Sequence, residues 1–369
     1  AIMSVRLGAK DKRSAEEILG NVVLLNVISG LFFSASCLIF LDPILLFFGA
    51  SDATIPYARS FMEVLLYGNI ITHLYFGLNG LIRSSGYPRK AMITVLISVV
   101  VNLLLAPLFI FVFKWGITGA ALATLLAQFS AFIFELFHFF NKNSYIRFSS
   151  DIFKLKKNIV YDIISIGIAP FLLNACASFI VIIINRKLLF YGGDLAVGAF
   201  GIVNRLAMLF IMIVLGLTQG MQPIVGYNFG AKQYDRVLKT FKYTVFFAVG
   251  ITSLGFLLGE LFPRYMVSLF TSDRELIRLS KEGLQISMVV FPVVGFQMVV
   301  SQFFQSIGKA KQAVFLSVSR QMLFLLPVLF ILPIFFGSIG VWLSLPLSDF
   351  LASAVALVLI IKQLNTFKK

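Results

Sequence analysis

The sequence predicts an all-α, polytopic membrane protein arranged as a two-lobe helical bundle, and three observations lead there. Of 369 residues, 59% are hydrophobic and 13% charged, with a mean hydropathy of +0.95; soluble domains carry about a quarter charged residues. Apolar windows of about 20 residues recur along the chain, each enough to cross a hydrocarbon core of about 30 Å as a helix. The chain also matches itself at long range, so that the windows fall into two sets. Strands are disfavoured because an open sheet edge cannot satisfy its backbone groups in lipid.

Bounded by charged or Gly/Pro segments, the windows lie at 18–41, 60–82, 91–113, 116–139, 162–186, 195–218, 240–262, 284–306, 312–335 and 339–361. Alternate connections differ sharply in charge. The side holding 1–17, 83–90, 141–161, 231–242, 309–311 and the C-terminus carries 21 Lys and Arg against 8 on the other, with Arg205 and Arg320 inside windows. The richer side is expected to be cytoplasmic, which places the C-terminus inside a multi-pass protein of the inner (plasma) membrane. This sidedness accounts for the net charge of +15, and no nucleic-acid partner is expected without a basic face on a soluble domain. Cys37 and Cys176 lie in separate apolar windows, and His73 and His138 are the only histidines. Neither a disulfide framework nor a metal site is indicated.

The two sets of windows match at an offset of 221 to 222 residues. Gly8-Ala9-Lys10 returns as Gly230-Ala231-Lys232, Ser51-Asp52 as Ser272-Asp273, Ser85-Gly86 as Ile307-Gly308 with Lys309 after it, and Gly116-Ile117-Thr118-Gly119 as Gly337-Ser338-Ile339-Gly340. Loop sidedness is preserved, so a parallel repeat with its axis along the membrane normal is expected. Two windows precede the Gly-Ala-Lys motif in the second copy, whereas the motif opens the chain in the first. Two further helices are therefore expected ahead of residue 1, making about ten of twelve present. The expected organisation is an N-terminal lobe at 1–140, a cytoplasmic linker at 141–161 and a C-terminal lobe at 162–369.

The stretch from Gly216 to Ala231, with Gln222-Pro223, Gly226-Tyr227-Asn228 and Gly230-Ala231, resembles the multidrug and toxic compound extrusion (MATE) family. So do Ser319-Arg320-Gln321 with Pro327, and Gly340-Val341-Trp342 with Pro346 and Ser348-Asp349. The resemblance covers essentially the whole chain. It implies a secondary exporter that moves organic cations outward against H⁺ or Na⁺ by alternating access. Many relatives carry Asn-x-x-x-Asp-Pro in the fifth helix, where the acid is thought to bind the coupling cation. Here the string is Asn102-Leu103-Leu104-Leu105-Ala106-Pro107, so the Asn is kept and the acid is not.

Polar side chains at membrane depth cost about 2.5–3.5 kcal/mol each for Arg or Asp, so each needs a partner or a watery cavity. Asn174 and Ser178 share a helix face, and Asn204 and Arg205 lie at similar depth on the next window. They line a substrate cavity or bond between packed helices; both readings stand. From Asn204 a stripe continues through Met208, Met212, Leu215 and Gln219, with soft thioethers suited to varied apolar cations. Gln297, Ser301 and Gln305 step along another window, with Pro292 a turn earlier, and Asn69, Thr72, His73 and Asn79 stripe its counterpart. His73 is either a neutral imidazole held by a neighbouring hydroxyl or carbonyl, or a proton relay.

Arg320 and Asp349 differ in depth by roughly 6 Å at 1.5 Å per residue, within reach of an Arg side chain. They form a structural ion pair or a coupling site. Asp349 is expected to be the only acid deep in a window, with Glu63, Glu135 and Glu260 nearer window ends. Pairs of glycines four apart, Gly216/Gly220 and Gly226/Gly230, are expected to pack helices closely. Pro107, Pro170, Pro223, Pro327 and Pro346 are expected to mark bends.

No nucleophile with a base and no paired carboxylates appear, so an enzyme is not expected. A flippase for lipid-linked saccharides shares the two-lobe design but calls for a strongly basic cavity. The expectation is a monomeric transporter of small organic substrates, in contact with membrane lipid, with no cofactor beyond the coupling ion.

Overall fold

A computed structural model of the chain describes residues 1–48, 51, 53–141 and 144–367. Asp52 of the repeated Ser-Asp motif and the last two lysines lie outside the described residues. Among those described there is no strand. The helices in order are α1 (Ile2–Gly8), α2 (Lys12–Ile39), α3 (Leu41–Phe47), α4 (Ile55–Tyr67), α5 (Asn69–Ser84), α6 (Pro88–Pro107) and α7 (Gly116–Phe140). There follow α8 (Lys157–Gly230), α9 (Tyr234–Leu261), α10 (Pro263–Ser268), α11 (Arg274–Met288), α12 (Phe291–Ser306), α13 (Ala310–Val318) and α14 (Leu326–Phe367). Short π turns, Leu108–Val112 and Ser319–Leu325, extend α6 and join α13 to α14.

Among the described residues, six helical stretches are long and apolar enough to cross a bilayer. Two of them are far too long for one crossing: α8 runs 74 residues and is broken at Gly193, and the 58-residue stretch from α13 through α14 is broken at Gly337. The pairs α4/α5 and α11/α12 each form one bent crossing. The described residues therefore hold ten crossings, the number the windows predict. Their outer surfaces carry side chains such as Phe47, Phe190 and Phe335, each more than 70% exposed, a surface suited to lipid and not to water.

The chain divides into two compact units, 9–161 and 162–369 with 1–8 added. Residues 1–8, expected in the first lobe, group with the second unit, and 141–161, expected to link the lobes, group with the first. The reasons are local. Gly226 faces Ser4 and the carbonyls of Ala1 and Ser306, and Gly8 closes on the carbonyl of Tyr227. In the first unit the 3₁₀ turn Ser150–Ile152 lies against α2, where Asn21 Nδ2 donates to the Lys154 carbonyl and Asn21 Oδ1 accepts from the Lys156 amide.

Inside each unit the repeat is structural. Helices begin in register at Lys12 and Tyr234, at Leu41 and Pro263, at Asn69 and Phe291, at Pro88 and Ala310. Gly116 and Gly337 share φ +55°, a left-handed backbone that a side chain would strain. The bent pairs correspond as well, 56° for α4/α5 and 53° for α11/α12. These bends fall just before Asn69 and Phe291; Pro292, singled out in the sequence, stands at the second, whereas none of the five other prolines expected to mark bends sits at either.

Candidate functional site

In the first unit, α6 and α7 leave a cavity of about 330 Å³ between them, lined by Ser98, Val99, Asn102, Leu103, Thr124, Ala127 and Gln128. Asn102 Nδ2 donates to Thr124 Oγ1 at 3.3 Å, and Thr124 Oγ1 donates in turn to the Ala120 carbonyl. Gln128 Oε1 accepts from Thr72 Oγ1 at 2.6 Å, which ties α5 to the same wall. The polar lining is neutral, hydroxyl and amide groups without a charge. Such a set can shed hydration from a hard cation weakly, but it has no base to take a proton.

In the second unit, the equivalent place is filled by charge. Arg320 Nε donates to Asp349 Oδ1 at 2.6 Å, with the two side chains 24% and 11% exposed. Arg320 sits in the π turn Ser319–Leu325, where the widened coil turns its long side chain toward α14. Since α6 and α13 start at Pro88 and Ala310, and α7 and its repeat at Gly116 and Gly337, Arg320 is the counterpart of Ser98 and Asp349 that of Gln128. One sequence pattern thus builds an open polar cavity in one unit and a closed ion pair in the other.

The remaining predicted residues divide between core and surface. His73 Nδ1 lies 3.3 Å from Ser29 Oγ, the hydroxyl contact of the first reading. Asn69 Nδ2 donates to the Gly30 carbonyl. Gln297 is buried and Ser301 half-buried in α12. Asn174, Ser178, Arg205 and Gln219 are exposed on α8 and Asn204 half-buried, with Met208 and Met212 exposed beside them. Most of this stripe faces out of its unit's packed core, and Asn174 Nδ2 donates to its own helix, at the Pro170 carbonyl. Gly216 and Gly220, expected to pack helices, face open space, whereas Gly226 is tightly packed.

A family model, MatE, matches residues 1–108 and 168–331. The chain belongs to the MatE family. It is 28% identical over 359 residues to the multidrug export protein MepA of Staphylococcus aureus, covering 96% of this chain and 78% of that protein. Its fold matches the crystal structure of a MATE protein in the bent conformation with a TM-score of 0.94 at 24% identity, over 100% of this chain and 82% of the other. A multidrug resistance MATE transporter of the MOP superfamily in its outward-facing conformation matches with a TM-score of 0.92, also at 24% identity, over 100% and 82%. The MatE chain is therefore a multi-pass membrane transporter and not an enzyme.

One residue of this MatE chain escaped sequence reasoning. Asp349 lies deeper along its crossing but is not the most enclosed acid, because Glu135 on α7, nearer its helix end, has no exposed surface at all, against 9% for Asp349. The signal was present in the periodicity. Gly119, Ala123, Ala127, Ala131 and Glu135 step by four along α7 and all are buried; small residues let membrane helices close on one another. An acid on that stripe is enclosed however near the helix end it stands. The second unit repeats the stripe as Gly340, Ser344, Ser348, Ala352 and Ala356, so Glu135 occupies a place its repeat fills with alanine.

Proposed function

We propose that the protein is a secondary active efflux transporter of the plasma membrane, exporting organic, mainly cationic, drugs or metabolites in exchange for H⁺ or Na⁺ by alternating access. The observation that carries the reading is MatE membership, with relatives named as multidrug export proteins. The equivalent bent pairs, 56° and 53°, supply each unit with a jointed helix of the kind alternating access uses. The outward-facing stripe of Asn174, Ser178, Asn204, Arg205, Met208, Met212 and Gln219 is the candidate substrate wall. It joins amide groups and adaptable thioethers, a surface for varied apolar cations. Within the second unit Arg320 is neutralised by Asp349, which leaves little of the basic cavity that a lipid pyrophosphate requires. The charge asymmetry of the connections places the C-terminus in the cytoplasm, and the protein acts as a monomer.

The test is ethidium efflux from proteoliposomes under an imposed proton or sodium gradient. Gradient-driven efflux that both protonophore and sodium ionophore leave intact would sink the antiport reading. Gln219→Ala should raise the ethidium concentration needed for half-maximal export while leaving the fold intact.

A further inference from the structure

Glu135 is an enclosed carboxyl group to which no side chain donates, its nearest donors, Asn79 and Thr94, being engaged with other acceptors. The amide of Asn79 and the hydroxyl of Thr94 stand beside it. Asn79 Nδ2 already donates to the Ala91 carbonyl at 2.8 Å and to Thr94 Oγ1 at 2.5 Å, and Thr94 Oγ1 donates to the Ala91 carbonyl at 2.8 Å. Both Glu135 oxygens are accordingly buried without a hydrogen-bond partner. An ionised carboxylate enclosed in this way is far costlier than a neutral acid. A neutral acid can instead donate its own O–H to Thr94 Oγ1 or Asn79 Oδ1, which both have acceptor capacity to spare.

The neighbours also define a way out for the proton and a charge to meet the anion. Buried Tyr75 lies within the field of Glu135 and its hydroxyl reaches Ser98, which lines the 330 Å³ cavity. Arg83 Nη2 donates to Asn79 Oδ1 at 3.0 Å, so that Asn79 stands between a cation and the acid. The other titratable groups around this end are Lys90 on α6 and His138 on α7, which contact each other at 3.2 Å. Of the other elements packed on α7, α4 carries Arg59 and Glu63, paired with each other beyond the bend, and the π turn Leu108–Val112 carries none.

Packing alone does not call for an acid here, since the repeated stripe places Ala356, equally buried, at the same position. We propose that Glu135 is the proton-carrying carboxyl group of the first unit, exchanging with the cavity through Tyr75 and Ser98. The proposal rests on the antiport reading above and narrows its coupling ion to H⁺. When the carboxyl ionises, its O–H bond breaks and the electron pair stays on the carboxylate. Once the carboxyl turns within hydrogen-bond reach of Tyr75, to which no hydrogen bond joins it in the resting structure, the proton passes along the Tyr75 and Ser98 hydroxyls, each giving one proton as it accepts one, to water in the cavity. Arg83 then meets the anion through a shift of the Asn79 side chain.

The experiment compares the wild-type protein, Glu135→Gln and Tyr75→Phe in proteoliposomes, with ethidium as substrate, an imposed pH gradient and an internal pH-sensitive dye. A glutamine side chain is nearly isosteric with the protonated acid. The expected result is that Glu135→Gln binds ethidium as the wild type does but loses both pH-driven export and substrate-triggered proton movement. Glu135→Asp should restore part of each. The infrared band of the buried carboxylic acid, absent in Glu135→Gln, should fall in the wild type on ethidium binding. A folded Glu135→Gln that exports with the wild-type dependence on the pH gradient overturns the proposal. Should that variant fail to fold, Tyr75→Phe decides, because it keeps the buried ring and removes the relay hydroxyl; unchanged proton movement overturns the proposal. A wild-type protein driven by sodium and indifferent to pH sinks the narrowing to H⁺ while leaving antiport itself standing.

Discussion

At the scale of single residues, the ion pair between Arg320 and Asp349 makes the sharpest prediction. Removing one partner of a mostly enclosed pair leaves the other desolvated, at a cost of about 3 kcal/mol. Asp349→Asn should therefore lower stability in denaturant titrations of the detergent-solubilised protein by about that much. The double variant Arg320→Gln, Asp349→Asn should lose clearly less than the sum of the single losses. Additive losses would mean that the 2.6 Å contact contributes nothing beyond its parts. The pairing was legible in the sequence because two opposite charges in neighbouring apolar windows have few other partners. Glu135 was not, because distance from a helix end was used as the measure of depth. Its enclosure comes from the face it occupies, where alanines bring α5 and α6 close on either side.

Among the elements, closely packed and open glycines predict opposite outcomes. A Cβ on Gly340 would overlap the carbonyl of Leu332, and one on Gly119 would press on the backbone of Phe109. Gly340→Ala should destabilise by about 1–3 kcal/mol, as overpacking does. Nothing lies near Gly216 or Gly220, so Gly216→Ala should be neutral or slightly stabilising, within about 1 kcal/mol. Both are read by thermal unfolding in detergent. If Gly216→Ala were the more damaging of the two, the assignment of an open face to that part of α8 would be wrong.

The segment that follows α7 is held to the start of α2 by charge. Asp151 accepts from the Ser149 hydroxyl and from Arg13 at 2.5 Å, while Lys156 meets Glu17 at 2.7 Å. Ser149 first, then Arg13, hold the Asp151 carboxyl below the usual carboxylate range. A depressed folded pKa gives a contribution that is present above the unfolded pKa of about 3.9 and is lost as the pH falls through the folded value. Hydrogen exchange of residues 144–156 should therefore stay slow at neutral pH and quicken below about pH 4. Asp151→Asn should show at neutral pH the quickening that acid produces in the wild type. Equal protection of the two proteins at pH 7 would show that the segment docks without Asp151, through Asn21 and the Lys156–Glu17 pair.

At the scale of the whole molecule, the charge count makes a topological prediction. With Cys37 and Cys176 replaced by serine, Leu155→Cys should react with a membrane-impermeant thiol reagent only after the cells are opened. Leu269→Cys, 81% exposed at the other end of the crossings, should react in intact cells. The reverse pattern would invert the orientation and with it the direction of transport.

Composition and hydropathy alone determined that this chain crosses a bilayer as helices, because continuous apolar windows of about 20 residues fit a helical crossing and open sheet edges cannot be satisfied in lipid. The offset of 221 to 222 residues determined that those helices come in two matched sets, since equivalent sequence must bury equivalent faces. The Gln222-Pro223 to Ala231 string and its companions carried the family. Pro292 marked the α11/α12 bend in the sequence, but only the tertiary structure decided that the equivalent α4/α5 pair, with no proline at its break, bends by a similar angle. It alone decided that Ser98 and Gln128 line a cavity where Arg320 and Asp349 close on each other, a difference between equivalent helices made by side-chain volume and charge. It also decided that an acid one turn from a helix end is the most enclosed acid in the described chain. Burial belongs to the faces that helices turn toward one another, and a linear sequence shows that only when its small residues are counted in steps of four.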